Sequence, residues 1–144
     1  MPDGIALGYG PMDVIHLEFE GLLAESACAT DAELSDRLGD LEAHLRAHFE
    51  EEDRWMHETD FPAGACHMDE HAAVLRSAVE VRLQVEAGGT AVGRAFVAEL
   101  SRWFPGHADY LDSALAHWMC KRQFGGKPVV FRRRPRPHGE PLAG

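Results

Sequence analysis

The stretch TDAELSDRLGDLEAHLRAHFEEEDRW, residues 30–55, decides the fold. Thr30 followed by Glu33 is a capping box, in which each side chain bonds the other residue's backbone N–H and so opens a helix. Behind it Leu34, Leu38, Leu41, Leu45, His48, Glu52 and Trp55 recur by fours and threes, the spacing of one helix face turned to a core. The helix is expected to end near Asp60, because the residue before Pro62 disfavours helical geometry. An imidazole and a carboxylate thus stand in a stripe that is otherwise apolar.

Working outward, three more segments show the same period between start and stop signals. One runs from about Met12, after Pro11, to about Ala27 and places Met12, His16, Phe19 and Leu23 on one face. Another runs from about Ala63 to Glu86, with His67, His71, Val74, Ala78, Val81 and Val85 inward, and stops at Gly88-Gly89. The last begins after Thr90, presents Phe96, Leu100, Trp103, His107, Leu111, Ala114 and Trp118, and finishes before Gly125-Gly126. Pro105 and Gly106 predict a kink or local unwinding just before His107. Connections of a few residues between long helices favour antiparallel neighbours. The expectation is an all-α, up-down-up-down four-helix bundle.

A chain of 144 residues fits one domain, read as an N-terminal arm over 1–11, the bundle over 12–124 and a tail over 125–144. No apolar run approaches the roughly 20 residues of a membrane helix, and the first residues do not resemble a signal peptide. Cys28, Cys66 and Cys120 form no C-x-x-C pair and are odd in number, which suggests a reducing compartment and a cytoplasmic location. Cys66 is read as a structural residue at a helix start. A formal net charge of -10 argues against a nucleic-acid-binding body. Lys127, Arg132, Arg133, Arg134 and Arg136 against Glu140 give the tail +4 and leave -14 for the remainder. With Pro128, Pro135, Pro137 and Pro141 around it, the tail is expected to be solvated and partly disordered.

Polar residues interrupt the apolar seam of every helix: His16, then His48 and Glu52, then His67 and His71, then His107 with Asp112. A carboxylate buried without compensation costs several kcal/mol, and a metal both neutralises and ligates such groups. His48 with Glu52, and His67 with His71, are four apart and lie a turn apart on one face. His107 and Asp112 are five apart, offset by about 140° on a regular helix. That spacing suits either a bridging carboxylate or a local π-type bulge. Any one of these histidines alone is more simply a hydrogen-bonded core residue; it is their joint occurrence at one depth that points to metal. His44, His57, His117 and His138 fit the pattern poorly, and His44 is read as a surface or hydrogen-bonded group. Five imidazoles and two carboxylates without thiolate suit iron, manganese or zinc, and exceed what one tetrahedral zinc uses, so two ions are expected. No His has a Glu three residues before it, and H-E-x-x-H, G-x-S-x-G, Walker and G-x-G-x-x-G motifs are absent. This disfavours ferritin-like enzymes and metalloproteases.

His48-Phe49 with Glu52, His67-x-x-x-His71 and Trp103-x-x-x-His107-x-x-x-x-Asp112, preceded by Asp13-x-x-His16, resemble the hemerythrins, in particular their bacterial branch. The resemblance covers about residues 12 to 120. It implies two non-haem iron ions, with His67, His71 and His107 on one, His16 and His48 on the other, and Glu52, Asp112 and a solvent-derived oxo or hydroxo group bridging. It implies one open coordination position, on the second iron, and reversible binding of dioxygen there for storage, delivery or sensing. Phe49, Trp103, Phe104 and Ala108 match the residues that line the ligand pocket. Ala108 departs from the family, in which a bulky isoleucine is usual, and would enlarge that pocket. Two other readings stay open: a di-iron redox enzyme acting on peroxide or nitric oxide, and a sensing domain working with a protein partner.

Overall fold

A computed structural model describes residues 6–123. Four long helical rods form the expected all-α bundle: α1 (Gly10–Ala27), α2 (Asp31–Glu58), α3 (Gly64–Glu86), and a fourth made of α4 (Thr90–His107), a π-helical turn (Ala108–Asp112) and α5 (Ser113–Gln123). Each rod packs on the next, and α4 closes the ring against α1. Pro11 sits in the first turn of α1, where its missing N–H costs nothing. Thr30 and Glu33 form the capping box, with Glu33 N donating to Thr30 Oγ1 at 3.2 Å and Thr30 N to Glu33 Oε1 at 2.9 Å. At the close of the α3–α4 turn Gly88 adopts φ +107°, a left-handed conformation open to glycine.

Leu34, Leu38, Leu41 and Leu45 of α2 are buried with Phe19, Leu23, Ala78, Val85, Val97 and Leu100, filling one half of the bundle. Gly93 lets α4 close on this layer, since a Cβ there would stand 2.5 Å from Val85 Cγ2. A second apolar cluster, with Tyr9, Met12, Trp55, Met56, Leu115 and Ala116, fills the other half. The polar residues of the seam lie between the two.

The fourth rod departs from expectation in two ways. The helix continues through Pro105, and the irregularity falls in the next turn, Ala108–Asp112, as the π-type bulge that the five-residue His107–Asp112 spacing allows. Pro105 and Ser101 are both exposed, so the carbonyl that loses its N–H partner meets water and the helix need not break there. The wider turn then shifts the phase of everything beyond it. Asp112, Leu115 and Ala116 are buried, whereas Ala114, expected inward, is exposed and Leu111 is half-buried. Upstream, Val97 and Phe104 are the buried neighbours of Leu100, with Phe96 and Trp103 at the flank.

Candidate metal centre

His16 of α1, His48 and Glu52 of α2, His67 and His71 of α3, His107 of α4 and Asp112 of the π-turn meet at one level of the core, and all are buried. The i, i+4 spacing brings His48 Nε2 to 2.9 Å from Glu52 Oε2. The π-turn does the same work for a five-residue spacing, setting Asp112 Oδ1 3.0 Å from His107 Nε2. It also places that oxygen 2.9 Å from His67 Nε2.

The two carboxylates each face two ways. Glu52 Oε1 lies 3.2 Å from His71 Nε2, while Glu52 Oε2 faces His48 and stands 3.5 Å from His16 Nε2. Asp112 Oδ1 faces His67 and His107, while Oδ2 lies 3.0 Å from His16 Nε2. The donors therefore form two groups sharing both carboxylates: Glu52, His67, His71, His107 and Asp112 in one, His16, His48, Glu52 and Asp112 in the other. Within each group the ligand atoms lie within 4.8 Å of one another.

The contacts suit metal better than hydrogen bonding. His107 Nε2 stands 3.3 Å from both His67 Nε2 and His71 Nε2, and bonds of about 2.1 Å meeting near a right angle put neighbouring ligand atoms about 3 Å apart. His16 Nε2, Glu52 Oε1 and Asp112 Oδ2 are buried without a hydrogen-bond partner, although carboxylate and imidazole atoms lie close to each. Their lone pairs converge on shared space rather than on one another. Buried groups of this kind are rare unless an ion or water satisfies them.

Without metal, imidazoles and carboxylates of the cluster hold one another in their charged forms. Burial would pull the His16 imidazole down, but the Asp112 and Glu52 carboxylates lift it to about 9. His71 is likewise held against burial by Asp53 and Glu52, again at about 9. Burial and the nearby Asp112 push the Glu52 carboxyl up, yet His16, His48 and His71 outweigh them and hold it below the usual carboxylate range. Asp112 is held low in the same way by His107, His16 and His67. His16 and His71 therefore stay protonated at neutral pH against Asp112, Asp53 and Glu52, and an incoming cation must displace those protons. Uptake of divalent metal by the metal-free protein at pH 7 is expected to release about two protons per chain, read with a pH indicator in weak buffer. The release should shrink as pH rises through about 9, where His16 and His71 are already neutral.

Two carboxylates that the sequence analysis did not single out orient the imidazoles from outside. His71 Nδ1 pairs with Asp53 Oδ1 at 2.8 Å, and His107 Nδ1 with Glu70 Oε1. A carboxylate on the far ring nitrogen fixes the tautomer and leaves Nε2 free to ligate. Glu70 sits three residues after His67 and Asp53 directly follows Glu52, but neither spacing reveals a partner on another helix.

Aromatic rings pack around the imidazoles. Phe49 stacks on His71 with centroids 3.9 Å apart, and Trp103 on His107 at 4.4 Å. Phe104 meets His16 edge-on at 5.0 Å, Phe19 packs on Phe104 at 4.9 Å, and Ala108 is fully buried in the same apolar layer. Trp103 also borders, with Glu70, Val74, Phe96 and Leu100, a surface cleft between α3 and α4. His44 is half-buried and stacks on Phe19 beside His48; burial lowers its pKa to about 4, so it packs as a neutral ring.

A four-helix bundle with a buried histidine and carboxylate cluster, and no thiolate among its donors, defines a non-haem metal-binding protein. The family described as Hemerythrin HHE cation binding domain matches residues 8–118, and the chain belongs to the hemerythrin family. It is 38% identical over 120 residues to a bacteriohemerythrin of Ralstonia nicotianae, a match that covers 83% of this chain and 88% of that protein. No solved structure matches it significantly.

Proposed function

We propose that His16, His48, Glu52, His67, His71, His107 and Asp112 hold two iron ions, and that the chain binds dioxygen reversibly. The observation that carries this is the division of each carboxylate between two histidine groups, one oxygen to each. A single ion would leave half of those oxygens unsatisfied. When bound, the two irons supply a reversible two-electron reduction of dioxygen, and the rest falls to the protein.

The group with His16 and His48 offers four protein donors against five in the other, so the open position lies on that side. Phe19, Phe104 and Ala108 make the surroundings there apolar, which keeps out water and the protons it carries. The exclusion of protons favours carriage over catalysis. Only two anionic ligands serve the cluster, where ferritin-like di-iron proteins use about four Glu, so it supports highly oxidised iron poorly. The small side chain of Ala108, buried in one layer with Phe19 and Phe104, is the feature that favours the second reading, turnover of peroxide or nitric oxide.

No helix among the described residues is long and apolar enough to cross a membrane. Exposed Cys28 and Cys66 suit a reducing cytoplasm, the compartment proposed here. The proposed tail, 125–144, lies outside the described residues.

Anaerobically reduced, iron-loaded protein should be nearly colourless, gain ligand-to-iron charge-transfer bands in air and lose them under argon, at about two irons per chain. Bands that argon does not remove, or steady consumption of peroxide or nitric oxide, would move the function to redox catalysis.

A further inference from the structure

The outward face of α1 carries a second apolar stripe that the bundle leaves unused. Gly10, Val14, Leu17, Gly21, Ala24 and Cys28 recur by fours and threes, and all are exposed, Val14 by 56% and Leu17 by 54%. The buried face of the helix is already supplied from the opposite side by Met12, His16, Phe19, Leu23 and Ser26. A helix apolar on both faces, at the edge of a soluble bundle, marks a surface that something covers.

Charge says what kind of segment that is. Glu18 and Glu25 border the stripe on one side, Asp13 and Glu20 on the other. Among the described residues Glu18, Glu20 and Glu25 make no ion pair. Glu25 also stands in the last turn of α1, where no basic residue offsets the negative end of the helix. A second copy of α1 would bring acidic borders against acidic borders. A segment that is apolar and then basic fits both features.

The chain contains such a segment, in which Lys127 and the apolar Val129-Val130-Phe131 precede Arg132, Arg133, Arg134 and Arg136. Its residues lie outside the described ones, but its point of departure is within them. α5 ends at Gln123, and Cys120 Sγ donates to Gly8 O at 3.4 Å, so the chain leaves the bundle beside the first turn of α1. The 18 residues of α1 span about 27 Å. Residues 124–144 reach further than that at about 3.3 Å per extended residue.

We propose that residues 127–136 dock along the outward face of α1 in the same chain, with Val129–Phe131 on the Val14 and Leu17 stripe and the arginines against Glu18, Glu20 and Glu25. Tethering gives the segment an effective concentration in the mM range, so weak contacts suffice. Docking clamps the helix that carries His16 on its inner face.

The test is amide hydrogen exchange of the full-length, iron-loaded protein over residues 13–24, with sedimentation at two protein concentrations. Reversing the tail charge by Arg132→Glu, Arg133→Glu and Arg134→Glu should speed exchange in α1 about tenfold. High salt should do part of the same to the unaltered chain. Adding Glu18→Lys, Glu20→Lys and Glu25→Lys to the tail variant should restore protection, since the pairs are remade with opposite sign. Equal exchange in all variants would overturn the proposal. So would protection that grows with protein concentration together with a doubled mass, which would assign the stripe to a second chain.

Discussion

Replacing Glu52 with alanine should cost the protein both metal ions together, lowering iron from about two per chain to well below one after gel filtration. Glu52, like Asp112, divides its two oxygens between the groups, Oε1 toward His71 and Oε2 toward His16 and His48. Loss of a histidine such as His48 should weaken mainly its own half. The metal-free variant should also be less stable by about 3–5 kcal/mol, the usual cost of stripping one partner from a buried charge pair. The sign follows from the imidazoles: raised folded-state values for His16 and His71 stabilise the metal-free fold fully below their unfolded value near 6.5. That contribution is lost as pH rises through about 9; Asp112 supports His16 and Asp53 supports His71 most, Glu52 each of them second, so without Glu52 part of it is absent throughout. Urea unfolding of both metal-free proteins at pH 6 and pH 9 measures it, and the difference between them should be larger at pH 6. Retention of two irons per chain would show that the carboxylate does not serve both positions.

Glu70→Ala should weaken iron binding by about 10–100-fold without touching a ligand. Its carboxylate holds His107 Nδ1, so removal frees the ring to turn and to carry its proton on the wrong nitrogen. Glu70 is 40% exposed, and a through-space charge effect at such a site is small. Positioning is therefore the term that counts. Glu70→Gln should recover most of the affinity, since the amide oxygen still accepts from Nδ1, whereas a charge effect would be lost equally in both variants. Competition against a calibrated chelator measures the affinities, and equal losses in the two variants would reject positioning.

The helices were legible because apolar groups at fours and threes can only be buried together along one helix face, and because Thr30 with Glu33 and Gly88-Gly89 mark ends by local bonding. The cluster was legible for the same reason, since His16, His48, Glu52, His67, His71 and His107 each interrupt an apolar stripe that local periodicity defines. Where periodicity fails, so does the reading. Past the π-turn the regular period assigned Ala114 inward and missed Leu115: the His107–Asp112 spacing allows a π-type bulge, but a regular period does not carry the angular shift such a turn inserts into the stripe beyond it.

By itself, then, the sequence determined the four helices, the faces they bury and the kinds of donor that meet on those faces, all consequences of contacts within about one turn. Only the tertiary structure decided which oxygen of Glu52 and Asp112 faces which histidine, and that Glu70 holds His107 and Asp53 holds His71 across helices, 37 and 18 residues away in the chain. It also decided that Val14 and Leu17 lie open to solvent on the back of the helix that brings His16 inward. Such pairings depend on the rotation and axial register of one packed helix against another, which the summed packing of the bundle sets and no local spacing encodes.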